Sequence, residues 1–261
     1  MSKHFSQNVT LHDKREMNKI GLEHFFLDKI NMYDYAVDKL IQDKKDEIVK
    51  LEKQHQDWVE LEETNPERYK ELEEQAERYE INILRQRHEY FIDISYVQEE
   101  LITLVEMKII YAFKFLEVNI KTLIKAVFSI KSTKEFYRWH VLEKYLNGQN
   151  IDIQNLKGYK EISQLRTVNN SLKHSEELDV KLNSIEEFKK STNLTYESLE
   201  SFYSRIKESP NVFLQNLISA IYDELYVFNT QKIASMSESL VLRMDEKDAS
   251  LLINKIKKHY E

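Results

Sequence analysis

Three glycines and two prolines among 261 residues leave this chain few places to reverse direction. Sandwiches and barrels draw on these residues for their many tight turns, and average usage is roughly 7% glycine and 5% proline. Long helices need far fewer breaks. Charged residues at 32% and apolar residues at 41% suit amphipathic helices with one solvated face. The expectation is an all-α fold with no sheet of three or more strands.

Periodicity divides the chain into helices. From about Thr10 to Glu63 the pattern is helical, with a bend expected near Gly21, while residues 1–9 read as a frayed start. Ile41, Ile48, Leu51 and Trp58 follow roughly heptad spacing, with His55 at an otherwise apolar position. Asn65, Pro66 and Glu67 then supply a cap, a proline suited to the first helical turn and an acid that complements the helix dipole. Tyr69, Leu72, Ala76, Tyr79 and Ile83 continue as a three-four seam. Residues 40–63 and 67–90 are therefore expected to pair as an antiparallel hairpin, with those five side chains facing the other arm. Arg85, Arg87 and His88 would lie at its base, paired with glutamates.

Beyond Ile92 the apolar face widens into a long helix reaching about Ile130. Further helices are expected at 133–146, 159–177, 195–208, 211–229 and 246–259. Residues 178–194 read as a loop with a short extended piece, and the stretch from Asn229 to Asp245 as a separator. This gives two regions, residues 1–94 with the acidic hairpin and residues 95–261 with a helical bundle.

Charge and composition exclude several classes. The net charge of −7 equals the imbalance between Asp43 and Glu80, where 14 acids face 7 bases. An anionic ligand can therefore bind elsewhere. Zero cysteines remove disulfides and thiolate metal sites, which fits a cytoplasmic protein. The greasiest stretch, residues 101–130, is interrupted by charges that a membrane span would not carry. There is no glycine-rich phosphate loop and no metal-binding pair of histidines one helical turn apart. No cofactor or metal is expected.

The densest chemistry lies in Leu165–His174. Arg166, Asn170 and His174 recur at i, i+4 and i+8, one stripe about 12 Å long on a helix, and Lys173 lies beside it. Ile162, Leu165, Val168 and Leu172 fall mainly on another face. Arginine and lysine suit phosphate oxygens, and a histidine exchanges a proton near neutral pH. The same stripe is also what a solvated helix face looks like, with Arg166 in an ion pair and His174 packed near the helix end.

The run Leu-Arg-x-x-x-Asn-x-x-Lys-His at 165–174 resembles the signature helix of HEPN-like domains, an all-α family of bacterial toxins and phage-defence proteins. Seven residues separate Arg166 from His174, where the family's ribonuclease motif usually has four to six, and Thr167 follows the arginine where a polar residue is common. The resemblance implies a homodimer, with Arg166 and His174 as catalytic groups of a metal-independent ribonuclease and Asn170 and Lys173 contacting RNA. The acidic hairpin would then serve dimerisation or hold a protein partner such as an antitoxin. The rival reading is a non-catalytic helical adaptor in which the stripe is structural.

Overall fold

The computed structural model describes residues 10–25, 31–79, 82–128, 130, 132–174, 180–189 and 193–260. The chain is all-α, and no strand occurs among these residues. In chain order the helices are α1 (Leu11–Glu23), α2 (Asn31–Thr64), α3 (Pro66–Arg78), α4 (Ile83–Phe128) and α5 (Trp139–Asn147). They continue with α6 (Tyr159–His174), α7 (Tyr196–Ile206), α8 (Ser209–Tyr226), α9 (Thr230–Val241) and α10 (Glu246–Lys257). Two compact units share them. One comprises Asp28–Phe115 and Lys160–Pro210; the other comprises Met1–Leu27, Leu116–Tyr159 and Asn211–Glu261. No helix of the described residues is long and apolar enough to cross a membrane.

In the first unit α2 runs antiparallel to α4. Reading α2 backwards and α4 forwards, Glu62 pairs with Arg87 at 2.6 Å and His55 rests against Phe91 with ring centroids 4.3 Å apart. Lys44 then meets Glu100 at 2.6 Å, Asp38 meets Lys108 at 2.7 Å, and Tyr33 stacks on Tyr111 at 4.2 Å. From Tyr33 to Glu62 this seam extends about 44 Å at 1.5 Å per residue. The heptad positions Ile41, Ile48, Leu51, His55 and Trp58 all lie inward, Ile41 fully buried and the others half-buried.

The hairpin's second arm therefore differs from the sequence expectation. The chain does reverse at Asn65, whose side chain accepts from the Arg68 N–H at 3.1 Å, with Pro66 opening the helix. Tyr69, Leu72 and Ala76 turn inward, Glu71 and Glu74 outward, and Tyr69 meets Trp58 edge-on. But α3 stops at Arg78, and Tyr79 is 78% exposed instead of facing the other arm. A new helix starts because Asn82 caps it, its side chain accepting from the Arg85 N–H at 2.8 Å. A capping side chain satisfies one orphan N–H of a helix start, so an asparagine inside an apparent seam divides one helix into two. Arg87 and Glu62 do meet at the base, as the charge pattern suggested.

The second unit buries Leu116, Ile120, Leu123 and Ile124 from α4, with Leu142 and Leu146 of α5 and Phe213, Leu214, Leu217 and Ile221 of α8. Several boundaries move. Gly21 stays inside α1, which ends at Glu23. The helix expected from 133 begins as a 3-10 turn, Lys134–Tyr137, before α5. In the first unit, residues 180–188 form two 3-10 turns that bury Leu182, Ile185 and Phe188, in place of an extended piece. The separator at 229–245 is instead mostly α9, capped by Asn229. Its serines and its lack of any buried residue hid it from a reading based on apolar period. The expected frayed start at residues 1–9 lies outside the described residues.

Gly158 precedes α6 with φ of +91°, and a Cβ there would stand 3.2 Å from both the Phe213 Cβ and the Phe213 N–H nitrogen. Positive φ and close approach to backbone are both conditions that favour glycine. Gly158→Ala is expected to lower unfolding free energy by about 1–3 kcal/mol, read as a lower urea midpoint with unchanged slope.

Candidate functional site

The helix α6 folds as its two faces dictate. Ile162, Leu165 and Val168 are fully buried, while Asn170 and Lys173 are exposed. Arg166 lies between these sides, half-buried and engaged by a neighbouring group. His174 is the last residue of the helix, and its side chain lies outside what the structure describes. Arg166, Asn170 and Lys173 thus share one edge of α6, as the spacing requires.

Asn169 adds a feature that the motif reading passed over. It is 1% exposed, its amide nitrogen donates to the Asn170 Oδ1 at 3.3 Å, and its own Oδ1 has no hydrogen-bond partner. Buried carbonyl oxygens are normally satisfied. The signal in the sequence is an asparagine falling between Leu165 and Leu172 on the apolar face. Its bond to Asn170 couples the buried face to the exposed edge.

The helix itself is held by Arg205 of α7, from the side away from that edge. The guanidinium grips Glu187 through two bonds of 2.6 and 3.0 Å and donates a third, at 3.0 Å, to Gln164 of α6. Two parallel bonds to one carboxylate give arginine both strength and direction. Hydrogen bonding from Arg205 holds the Glu187 carboxyl below its ordinary value.

A second polar cluster lies between α2, α4 and α7. Lys108 is 3% exposed in the middle of an apolar helix face. Its Nζ reaches Asp38 at 2.7 Å and Glu200 at 3.7 Å, and stands 4.5 Å from the Tyr203 ring centre. The Tyr203 hydroxyl donates to Asp34 at 2.6 Å, and burial, aided by Asp34, pushes its ionisation far above the usual tyrosine range. A neutral phenol and a paired ammonium make this a structural network: its groups are already satisfied by one another, apart from one buried Glu200 oxygen without a hydrogen bond.

Chemically, the α6 edge offers cations and an amide to an anionic ligand. Among the described residues no three histidines, aspartates or glutamates stand together as a metal site. No family model, curated protein or solved structure matches the chain.

Two outcomes follow from these contacts. Lys108→Met strands Glu200 without its cation, and is expected to cost about 2–3 kcal/mol, below the ~3–5 typical of a buried pair because Asp38 is largely solvated; urea titration reads it. Arg205→Met is expected to cost about 1 kcal/mol at pH 7, since Arg205 is more than a third exposed. Because the Glu187 carboxyl is depressed in the fold, that contribution is present above the unfolded value near 4.3 and lost as pH falls through the lower folded one. Thermal midpoints of wild type and variant should converge on acidification.

Proposed function

We propose that the chain is a HEPN-like RNA-binding protein whose α6 edge receives the phosphodiester backbone. The supporting observation is the two-sidedness of α6: the helix is anchored by a fully buried apolar face and by the Arg205–Gln164 bond, while Asn170 and Lys173 point to solvent beside Arg166. Rigid anchorage with exposed donors suits recognition of a strongly hydrated anion, because little side-chain order is lost on binding. Lys173 supplies a point charge, Asn170 an orienting amide, and Arg166 a planar donor set for phosphate oxygens.

Cleavage in this reading takes the following course. His174 accepts the proton of an RNA 2′-hydroxyl, the 2′-oxygen attacks the adjacent phosphorus, and the bond to the 5′-oxygen breaks. The products are a 2′,3′-cyclic phosphate and a 5′-hydroxyl, the imidazolium returning the proton to the departing oxygen. Arg166 offsets the charge that develops on the phosphoryl oxygens.

A non-catalytic helical adaptor is the other reading, favoured by α9 and α10, which bury no side chain. Fluorescence anisotropy with labelled single-stranded RNA, in EDTA and at several salt concentrations, separates the two. Binding should weaken with salt, and Lys173→Ala should weaken it further while reducing the salt slope by about one unit. His174→Ala should stop cleavage and leave binding intact. An absence of binding at low salt supports the adaptor.

A further inference from the structure

The helices α9 and α10 are amphipathic, yet neither buries a residue. In α9 the apolar stripe Ile233, Met236 and Leu240 is exposed; in α10 Ile253 and Ile256 are 53% and 49% exposed beside half-buried Leu252. Tyr260 just beyond α10 rests edge-on against His12 of α1. Two such stripes on consecutive helices exceed scattered surface apolar residues and mark interaction surface.

The charges on α10 specify the occupant. Its first turn carries Glu246 and Asp248 and its last turn Lys255 and Lys257. At 100° per residue, Glu246 and Lys257 fall within about 20° of each other on one flank of the stripe. Asp248 and Lys255 fall equally close on the opposite flank, each flank about 90° from the stripe's centre. Both pairs are also centred on one point along the helix, between Leu251 and Leu252. The helix dipole accounts for acids at the start and lysines at the end, but not for this placement on matched flanks. Laid antiparallel on a copy of itself, α10 brings each acid opposite a lysine; laid parallel, it sets like charges together. A two-fold axis across the helix produces the antiparallel arrangement, and an identical helix satisfies the charge pattern because that pattern is its own complement.

We propose that α9 and α10 form a homodimer face, with α10 packing antiparallel on α10 of a second copy about a two-fold axis near Leu252. Glu246 then faces Lys257 of the second copy, and Asp248 faces its Lys255. This assignment is independent of RNA binding by α6.

Sedimentation equilibrium of the full chain tests it. A dimer is expected at micromolar concentration. Ile256→Asp, which puts a charge into the apolar stripe, should raise the dissociation constant about a hundredfold. Lys257→Glu should raise it roughly tenfold, and Glu246→Lys in the same chain should restore it, because opposite signs then face each other again. These flank residues are exposed, so the charge variants remain folded, which circular dichroism verifies. Since the chain has no cysteine, Leu252→Cys should be trapped as a disulfide-linked dimer under oxidant, whereas Lys247→Cys on the far side should not. A monomeric wild type, a dimer indifferent to Ile256→Asp, or failure of the double charge exchange to restore affinity would overturn the proposal. A monomer that binds anionic vesicles through this face would overturn it in favour of a lipid surface.

Discussion

An ammonium group withdrawn from water needs carboxylates within reach, and the buried Lys108 consequently constrains every helix around it. Asp38 must lie at its level on α2, and Glu200 and Tyr203 at its level on α7. A helix slipped by one turn moves its groups about 5.4 Å, enough to leave the charge unpaired. Apolar packing tolerates many near-equivalent arrangements, whereas a buried charge penalises all but a few. The seam from Glu62–Arg87 to Tyr33–Tyr111 is in register with that contact, with further ionic and aromatic pairs spaced along it.

The α6 edge inherits its position from the same unit. The helix α7 carries Glu200 and Tyr203 toward Lys108, and two residues further on carries Arg205 toward Glu187 and Gln164. One helix thus connects the buried ammonium network to the segment proposed to meet RNA. Asn169 completes the linkage on α6 itself, bonded outward to Asn170 from within the apolar face. Such anchorage suits a site whose ligand is a densely charged strand: the donors need to be held in place while their ends stay wet.

The two surfaces with functional proposals differ in physical character. On α6 the exposed groups are cationic and polar, as phosphate recognition requires. On α9 and α10 they are apolar and bordered by charges of both signs, as a protein contact requires. The acidic balance of α2 and α3 adds a third, negatively charged surface, where Arg68 pairs with Glu71 and Glu62 pairs with Arg87 of α4.

Much of this was legible in the chain. The scarcity of glycine and proline pointed to the all-α class, because the many tight turns of a sandwich or barrel had few residues to build them. Heptad spacing identified the inward face of α2, His55 included, since side-chain direction follows from 3.6 residues per turn whatever the partner. Asn65 and Pro66 marked the reversal, and the two faces of Leu165–Lys173 were evident for the same reason. What lay against those faces was a tertiary matter. That α2 pairs with α4 beyond a short α3 depended on Asn82 capping a new helix, a single local bond that outweighed a seam continued on paper through Tyr79. That Lys108 turns inward, and that Asn169 is sealed beneath its neighbours, followed from carboxylates and side chains distant in sequence. Periodicity is a property of one helix and can be read from its residues; partnership is a property of two, decided by which buried charges and capping groups are satisfied when the chain closes.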